Sequence, residues 1–94
     1  YMSKLMLSKD TINQIIVEFA TTMSYELDQN NHKGNDWREK ANIGLLLGRL
    51  QEEVDELIQA INYDVDPKFV TSEAADVANF AMIIADTYKH RKDK

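Results

Sequence analysis

Apolar residues recur at intervals of three and four along most of the chain, a spacing that is typical of amphipathic helices. Apolar and polar residues do not alternate over any useful length, so the pattern gives little support to a β-sheet. Three glycines and one proline offer few interruptions. The pattern therefore predicts an all-α fold built from three main helices.

The first helix is predicted over residues 10–29. Ser8 or Asp10 can accept hydrogen bonds from the free amides at its start. Residues 30–36, NNHKGND, are expected to end it, because asparagine and glycine tolerate the left-handed backbone of a helix stop. The apolar stripe of this helix comprises Ile12, Ile15, Ile16, Phe19, Met23 and Leu27.

The second helix is predicted over residues 37–62, with Asp36 as its N-terminal cap. Gly44 and Gly48 lie inside it, and each costs about 1 kcal/mol relative to alanine. We expect the close approach of a neighbouring helix at these glycines, with a local kink as the alternative. The apolar stripe comprises Ile43, Leu46, Leu47, Leu50, Val54, Leu57, Ile58 and Ile61.

The third helix is predicted to begin at Pro67 or at Thr71 and to end near His90. Proline fits the first turn of a helix, where its nitrogen needs no partner. The apolar stripe comprises Val77, Phe80, Ala81, Ile84 and Tyr88.

Three helices with short connections predict an antiparallel helical bundle in a single domain that spans residues 1–94. So small a domain buries little apolar surface by itself. We therefore expect the bundle to be completed by oligomerisation, as a homodimer or homotetramer.

The net charge of −5 excludes some classes of partner. Nucleic acid polymers and anionic membranes bind basic surfaces, so neither is an expected partner. No apolar run is long enough to span a bilayer, and no signal-peptide pattern is present. Cysteine is absent, which fits a reducing compartment, and we expect a cytoplasmic protein.

Two acidic segments, EEVDE and EAAD, lie within the predicted second and third helices, respectively. When successive residues are placed about 100° apart, Glu53 and Glu56 lie on one border of the second apolar stripe. Glu73 lies within the third stripe, and Asp76 lies at its edge. Because a solvated acidic face does not explain the position of Glu73, we expect the two segments to face each other.

Buried carboxylates that lack a partner cost several kcal/mol, so a cluster of them needs a compensating cation. Arg49, one turn before the acidic segment, can act as a counter-ion for one of them. A divalent metal would balance several, and oxygen ligands select Mg²⁺, Mn²⁺ or Ca²⁺ over zinc. Neither His32 nor His90 lies in a Glu-x-x-His motif, so a di-iron site is not expected.

The ordered pair of acidic motifs resembles the MazG-like nucleotide pyrophosphohydrolases of the all-α NTP pyrophosphatase superfamily. The family pattern is E-E-x-x-E followed by E-x-x-D, and here sixteen residues separate Glu56 from Glu73. The stretches LLLGRLQEEVDELIQAI and EAADVANFAMIIAD are also similar to family helices. NNHKGNDW resembles the preceding segment of phage-type and dATP/dGTP diphosphohydrolase-like members.

This resemblance implies Mg²⁺-dependent hydrolysis of a (deoxy)nucleoside triphosphate to the monophosphate and pyrophosphate, with Mn²⁺ as an alternative ion. The implied metal ligands are Glu53, Glu56, Glu73 and Asp76. Glu52 and Glu53 are the implied catalytic residues, with Glu52 behind the ligands or orienting the attacking water. The alternative is a non-catalytic helical bundle that binds nucleotide or protein and retains the metal site.

A nucleoside triphosphate also needs groups that contact its phosphates and its base. Trp37, with Phe80 or Tyr88 as further options, offers a ring for stacking, although packing against a loop would also explain Trp37. Asn79 either forms a hydrogen bond near the site or is solvated on the helix surface. The basic candidates for phosphate contact, each of which could also be a plain surface charge, are Lys33, Arg38, Lys89 and Arg91.

Overall fold

The computed structural model describes residues 6–29 and 36–91. These residues form four helices: α1 (Lys9–Gln29), α2 (Trp37–Lys40), α3 (Ile43–Asn62) and α4 (Pro67–Arg91). No strand occurs in the described part of the chain, which confirms the all-α prediction. None of these helices is both long and apolar enough to cross a membrane. The segment expected to end the first helix, residues 30–35, lies outside the described residues.

The start of α1 agrees with the prediction to within one residue. The Ser8 Oγ accepts a hydrogen bond from the Thr11 backbone N–H at 3.1 Å. It also donates to the Thr11 Oγ1 at 2.9 Å. Of the two predicted caps, Ser8 therefore forms the capping hydrogen bond.

The prediction of one continuous helix over residues 37–62 is wrong, because the helical conformation is interrupted between α2 and α3. Ala41 has an extended backbone (φ −71°, ψ 143°). The Asn42 Oδ1 accepts from the Leu45 N–H at 3.1 Å and caps α3, whereas the Asp36 side chain makes no capping hydrogen bond. Asparagine is a strong N-cap, so a new helix starts where an apolar run had suggested continuity.

The two glycines of α3 are not explained by a neighbouring helix. A Cβ atom on Gly48 would meet no atom within 4 Å in the described structure, so the expected close approach is absent there. A Cβ on Gly44 would lie 3.2 Å from the Asn42 Oδ1. Gly44 therefore leaves room for the capping oxygen of Asn42.

The turn between α3 and α4 is short and locally bonded. Asp64 has a left-handed backbone (φ 54°), which aspartate tolerates better than most residues. The Asp66 Oδ1 accepts from the Lys68 N–H at 2.8 Å, beside the first residue of α4, Pro67. Of the two predicted starts, Pro67 is therefore correct, and α4 ends one residue beyond the predicted His90.

Within the described residues, α4 packs against α1, α2 and α3, whereas the backbones of α1 and α3 do not meet. The most buried face of α4 consists of residues four apart, namely Ala75, Asn79, Ile83 and Thr87. The predicted stripe was therefore wrong as the centre of the buried face, and two of its members, Ala81 and Tyr88, are exposed. A helix packed between neighbours buries small and polar residues that its apolar pattern does not mark.

The apolar core is thin. In the described structure the buried apolar residues are Ala75 and Ile83. Many large apolar side chains on α1 and α3 are exposed, including Ile15, Ile16, Leu47, Ile58 and Ile61. Much of the two predicted stripes is therefore not covered by the residues that the structure describes.

Candidate metal centre and adjoining cleft

Three acidic side chains from α3 and α4 converge. Carboxylate oxygens of Glu53, Glu73 and Asp76 all lie within 4.8 Å of one another. Glu73 and Asp76 are three residues apart and so share one face of α4. We call these three residues the carboxylate cluster. It contains three of the four predicted metal ligands and does not include the fourth, Glu56.

The carboxylate cluster is partly buried. Glu53 is only 9% exposed. The Oε2 of Glu73 is buried without a hydrogen-bond partner in the described structure. A buried acceptor without a partner is costly, and buried charges are normally paired or bound to metal. The residues present therefore fit a bound cation, whose ligands would all be oxygen atoms.

The electrostatics of Glu53 follow from this crowding. Burial raises the pKa of the Glu53 carboxyl above its ordinary value, and the negative charges of Glu56, Asp76 and Glu73 raise it further. The positive charge of Arg49 opposes these effects. At Glu53 the effects of burial and of neighbouring negative charges therefore outweigh the effect of Arg49.

The pKa of Glu73 is also raised, and one of the causes is a residue that the sequence did not suggest. Burial raises the pKa of its carboxyl, and the neighbouring Glu56 raises it further. A smaller contribution comes from Glu26 on α1. Glu26 stands three residues after Met23 of the apolar stripe, which was the available signal that it could face α4.

The other two predicted acidic residues lie differently. Glu56 is an exposed residue on the border of the cluster, close enough to affect the pKa of both cluster glutamates. Glu52 is exposed, and its Oε1 lies 3.4 Å from the Arg49 Nε. The structure does not bring Glu52 into the cluster, and its role in orienting water stays a prediction.

A cleft of about 480 Å³ adjoins the cluster. This volume lies in the range of roughly 300–1,000 Å³ that is typical of small-molecule sites. Trp37 and Lys40 of α2 line one part of it, and Phe80 of α4 supplies a second aromatic ring. Its acidic end is formed by Glu53, Glu56 and Asp76. The cleft thus combines carboxylates, aromatic rings and basic groups.

Arg49 lies between the acidic and aromatic parts of this cleft. Its guanidinium carbon is 5.3 Å from the centroid of the Phe80 ring, within the range of a cation–π contact. It also pairs with Glu52, and its positive charge partly offsets the rise in the pKa of Glu53. The prediction that Arg49 is a counter-ion is therefore confirmed.

Two predicted substrate-binding residues are joined to a residue that the sequence did not mark. The Asp86 carboxylate accepts from the Arg38 Nε at 2.7 Å and from the Arg38 Nη2 at 2.9 Å. It also accepts from the Trp37 Nε1 at 2.9 Å. Arg38 therefore already has an anionic partner, Asp86. Trp37 lines the cleft, and its N–H is already hydrogen-bonded to the same carboxylate.

Asn79 is 5% exposed, so the alternative that it is solvated on the helix surface is wrong. Its Nδ2 donates to the Met23 backbone carbonyl at 2.9 Å, which joins α4 to α1. Its Oδ1 is buried without a partner in the described structure, and the residue lines the cleft. Contact between Asn79 and a substrate stays a prediction.

Lys89 and Arg91 do not line the cleft of their own chain. Lys89 and Arg91 are exposed in the last turn of α4, about 20 Å along the helix axis from Asp76. The Arg91 guanidinium lies 4.3 Å from the centroid of the Tyr88 ring. Lys33 lies outside the described residues.

No protein-family model matches this chain, and none of the curated proteins or solved structures is significantly similar to it. A functional assignment therefore depends on the geometry of the site and on the two acidic motifs.

Proposed function

We propose that this chain is a MazG-like pyrophosphohydrolase that hydrolyses (deoxy)nucleoside triphosphates to the monophosphate and pyrophosphate with the help of Mg²⁺. The observation that carries the proposal is the carboxylate cluster, whose oxygens lie within 4.8 Å of one another beside a cleft of about 480 Å³. A cluster alone would suit many cations. The adjoining aromatic and basic groups favour a ligand that has a planar ring and several negative charges.

Glu53, Glu73 and Asp76 would hold the cation, with Glu56 as a fourth ligand from the border of the cluster. Oxygen ligands suit Mg²⁺, with Mn²⁺ as an alternative. When bound there, such an ion neutralises phosphate charge and activates a water molecule. The buried, partnerless Oε2 of Glu73 supports this arrangement, because a cation would remove its unfavourable environment.

The residues of the chain itself would orient the substrate. Trp37 and Phe80 line the cleft and can pack against a base. Arg49 lines the cleft and pairs with Glu52, so a triphosphate would compete with Glu52 for its guanidinium. That competition would leave Glu52 able to orient the attacking water.

The proposal includes a homodimer or homotetramer in which the bundle is completed by a second copy. The exposed apolar stripes of α1 and α3 support this, since a stable domain of this size needs more buried apolar surface. Lys89 and Arg91 could then contact phosphate in the cleft of a partner. Light scattering should give a mass above that of one chain, and Ile58→Lys with Ile61→Lys should lower it. A monomeric wild-type protein would contradict this part of the proposal.

Pyrophosphate release from a panel of ribo- and deoxynucleoside triphosphates tests the activity directly. Release should require Mg²⁺ or Mn²⁺ and should disappear when a chelator is added. The products should be the monophosphate and pyrophosphate, whereas release of inorganic phosphate alone would indicate a different reaction.

A second candidate function is a non-catalytic module that binds nucleotide and retains the metal site. The position of Glu52 favours it, because this residue points to solvent and pairs with Arg49. Both candidates predict that Mg²⁺ raises the melting temperature, since a ligand at 100 times its Kd stabilises the folded state by about 2.7 kcal/mol. Mg²⁺-dependent stabilisation without pyrophosphate release would select the second candidate.

A further inference from the structure

One carboxylate near the end of α4 joins that helix to α2. Asp86 accepts from the Trp37 Nε1 at 2.9 Å through its Oδ2. The same oxygen accepts from the Arg38 Nε at 2.7 Å, and the Oδ1 accepts from the Arg38 Nη2 at 2.9 Å. One turn later, the His90 Nδ1 lies 2.8 Å from the Asp86 backbone carbonyl. Because a carbonyl can only accept, the proton of this bond is on that nitrogen.

The helix held by this carboxylate has little stability of its own. α2 contains four residues, far fewer than an isolated helix needs to form in water. Among the described helices its backbone packs against α4 and no other. The three side-chain hydrogen bonds to Asp86 therefore fix a segment that its own sequence does not stabilise.

The position of α2 matters because it forms part of the cleft. Trp37 lines the cleft, while its N–H is bonded to Asp86. A hydrogen bond at Nε1 restricts rotation of the indole, so it sets which surface of the ring the cleft receives. The bidentate pair between Arg38 and Asp86 holds the carboxylate in the orientation that this bond requires.

We infer that Asp86 is a positioning residue, which holds the indole of Trp37 as a wall of the ligand cleft. Identification of the ligand's ring as a nucleobase rests on the proposed function. The positioning itself does not, because it depends on contacts within the chain.

The intrinsic fluorescence of the protein tests the positioning without any nucleotide. Trp37 is the only tryptophan in the sequence, so the emission reports on this one indole. Asp86→Ala should shift the emission to longer wavelength and increase quenching by acrylamide. Arg38→Gln should change both in the same direction but less. Asp55→Asn removes the charge of an exposed carboxylate on α3 and should change neither.

Circular dichroism shows whether each variant remains folded. A helical Asp86→Ala protein with wild-type emission and quenching would overturn the inference. If Asp86→Ala does not fold, Arg38→Gln decides. Its side chain is 58% exposed, so its loss should leave the helices intact. Wild-type fluorescence in this second variant would then contradict the positioning.

Kinetics separate positioning from a general structural role. With the proposed substrate, Asp86→Ala should raise KM roughly tenfold, the order of effect expected when a base loses a stacking partner, and leave kcat unchanged. Asp86→Asn retains an oxygen acceptor for Trp37 and should recover part of the loss. A fall in kcat with unchanged KM would overturn the inference. If the wild type hydrolyses no nucleotide, the proposed function fails, and the fluorescence measurements still decide the positioning.

Discussion

Two acidic sites, both with residues on α4, differ in how the charge of their carboxylates is balanced. In the carboxylate cluster, burial and neighbouring acids raise the pKa of Glu53 and Glu73. About 15 Å further along the same helix, Arg38 and then Trp37 hold the pKa of Asp86 well below its ordinary value. Under the proposed function, the crowded carboxylates of the cluster would hold a cation from outside the chain. The Asp86 carboxylate, which accepts hydrogen bonds from Trp37 and Arg38, instead connects α4 to α2.

The largest effect on activity is expected from substitutions in the carboxylate cluster. Glu53→Gln and Glu73→Gln should each lower kcat/KM for nucleoside triphosphate hydrolysis by at least about 100-fold, since loss of outer-shell partners of a metal alone costs 10- to 100-fold. Pyrophosphate release at saturating Mg²⁺ measures this effect. Asp55→Asn is the matched control, because it removes one negative charge from an exposed position of α3. Full activity in either glutamine variant would show that the cluster is not the catalytic centre.

The acidic motifs could be recognised from the sequence because they break a pattern. Glu73 stands among apolar residues at helical spacing, and Asp76 follows three residues later, so their shared face depends on nearby residues alone. The extent of their burial does not, because the buried face of α4 is not centred on the predicted stripe. The helix ends at Ser8, Asn62 and Pro67 are local in the same way. Such features can be predicted without knowing which helices pack together.

The Asp86 site could not be predicted, because its partners are distant in the chain. Trp37 and Arg38 are 49 and 48 residues away from Asp86. Glu26 was missed for a similar reason, since its position near Glu73 requires α1 to pack on α4. The break at Asn42 did have a local signal, but the apolar run on either side concealed it. Contacts of this kind depend on which helices pack together, and the spacing of residues within one helix does not predict them.

A matched pair of variants should shift stability in opposite directions. Glu73→Gln removes a crowded charge and should raise the free energy of unfolding by about 1 kcal/mol when a chelator is present, the order expected for relief of one poorly satisfied buried group. Asp86→Asn removes the anionic partner of Arg38 and should lower the melting temperature. Both changes are isosteric and remove one negative charge. Thermal melts of the two variants and the wild type provide the comparison, and shifts in the same direction would show that the two sites do not differ.

The smallest effect is the pH dependence of stability without metal, and its sign differs between the two sites. A carboxyl whose pKa is raised by folding contributes stability that is fully present below its unfolded value, 4.5 for Glu53 and Glu73. That stability is lost as the pH rises through the folded pKa. Asp86 behaves in the opposite way, because its contribution is present above 3.8 and is lost as the pH falls below that value.

The melting temperature of the metal-free protein should therefore rise as the pH is lowered from 7 toward 4.5 and fall below 3.8. The double variant Glu53→Gln/Glu73→Gln should flatten the rise without changing the fall, since glutamine does not titrate. Asp86→Asn should weaken the fall and retain the rise. Thermal melts in the presence of a chelator across this pH range measure both the rise and the fall of the melting temperature. An unchanged rise in the double variant would mean that other carboxyl groups cause it and that the cluster is not electrostatically strained.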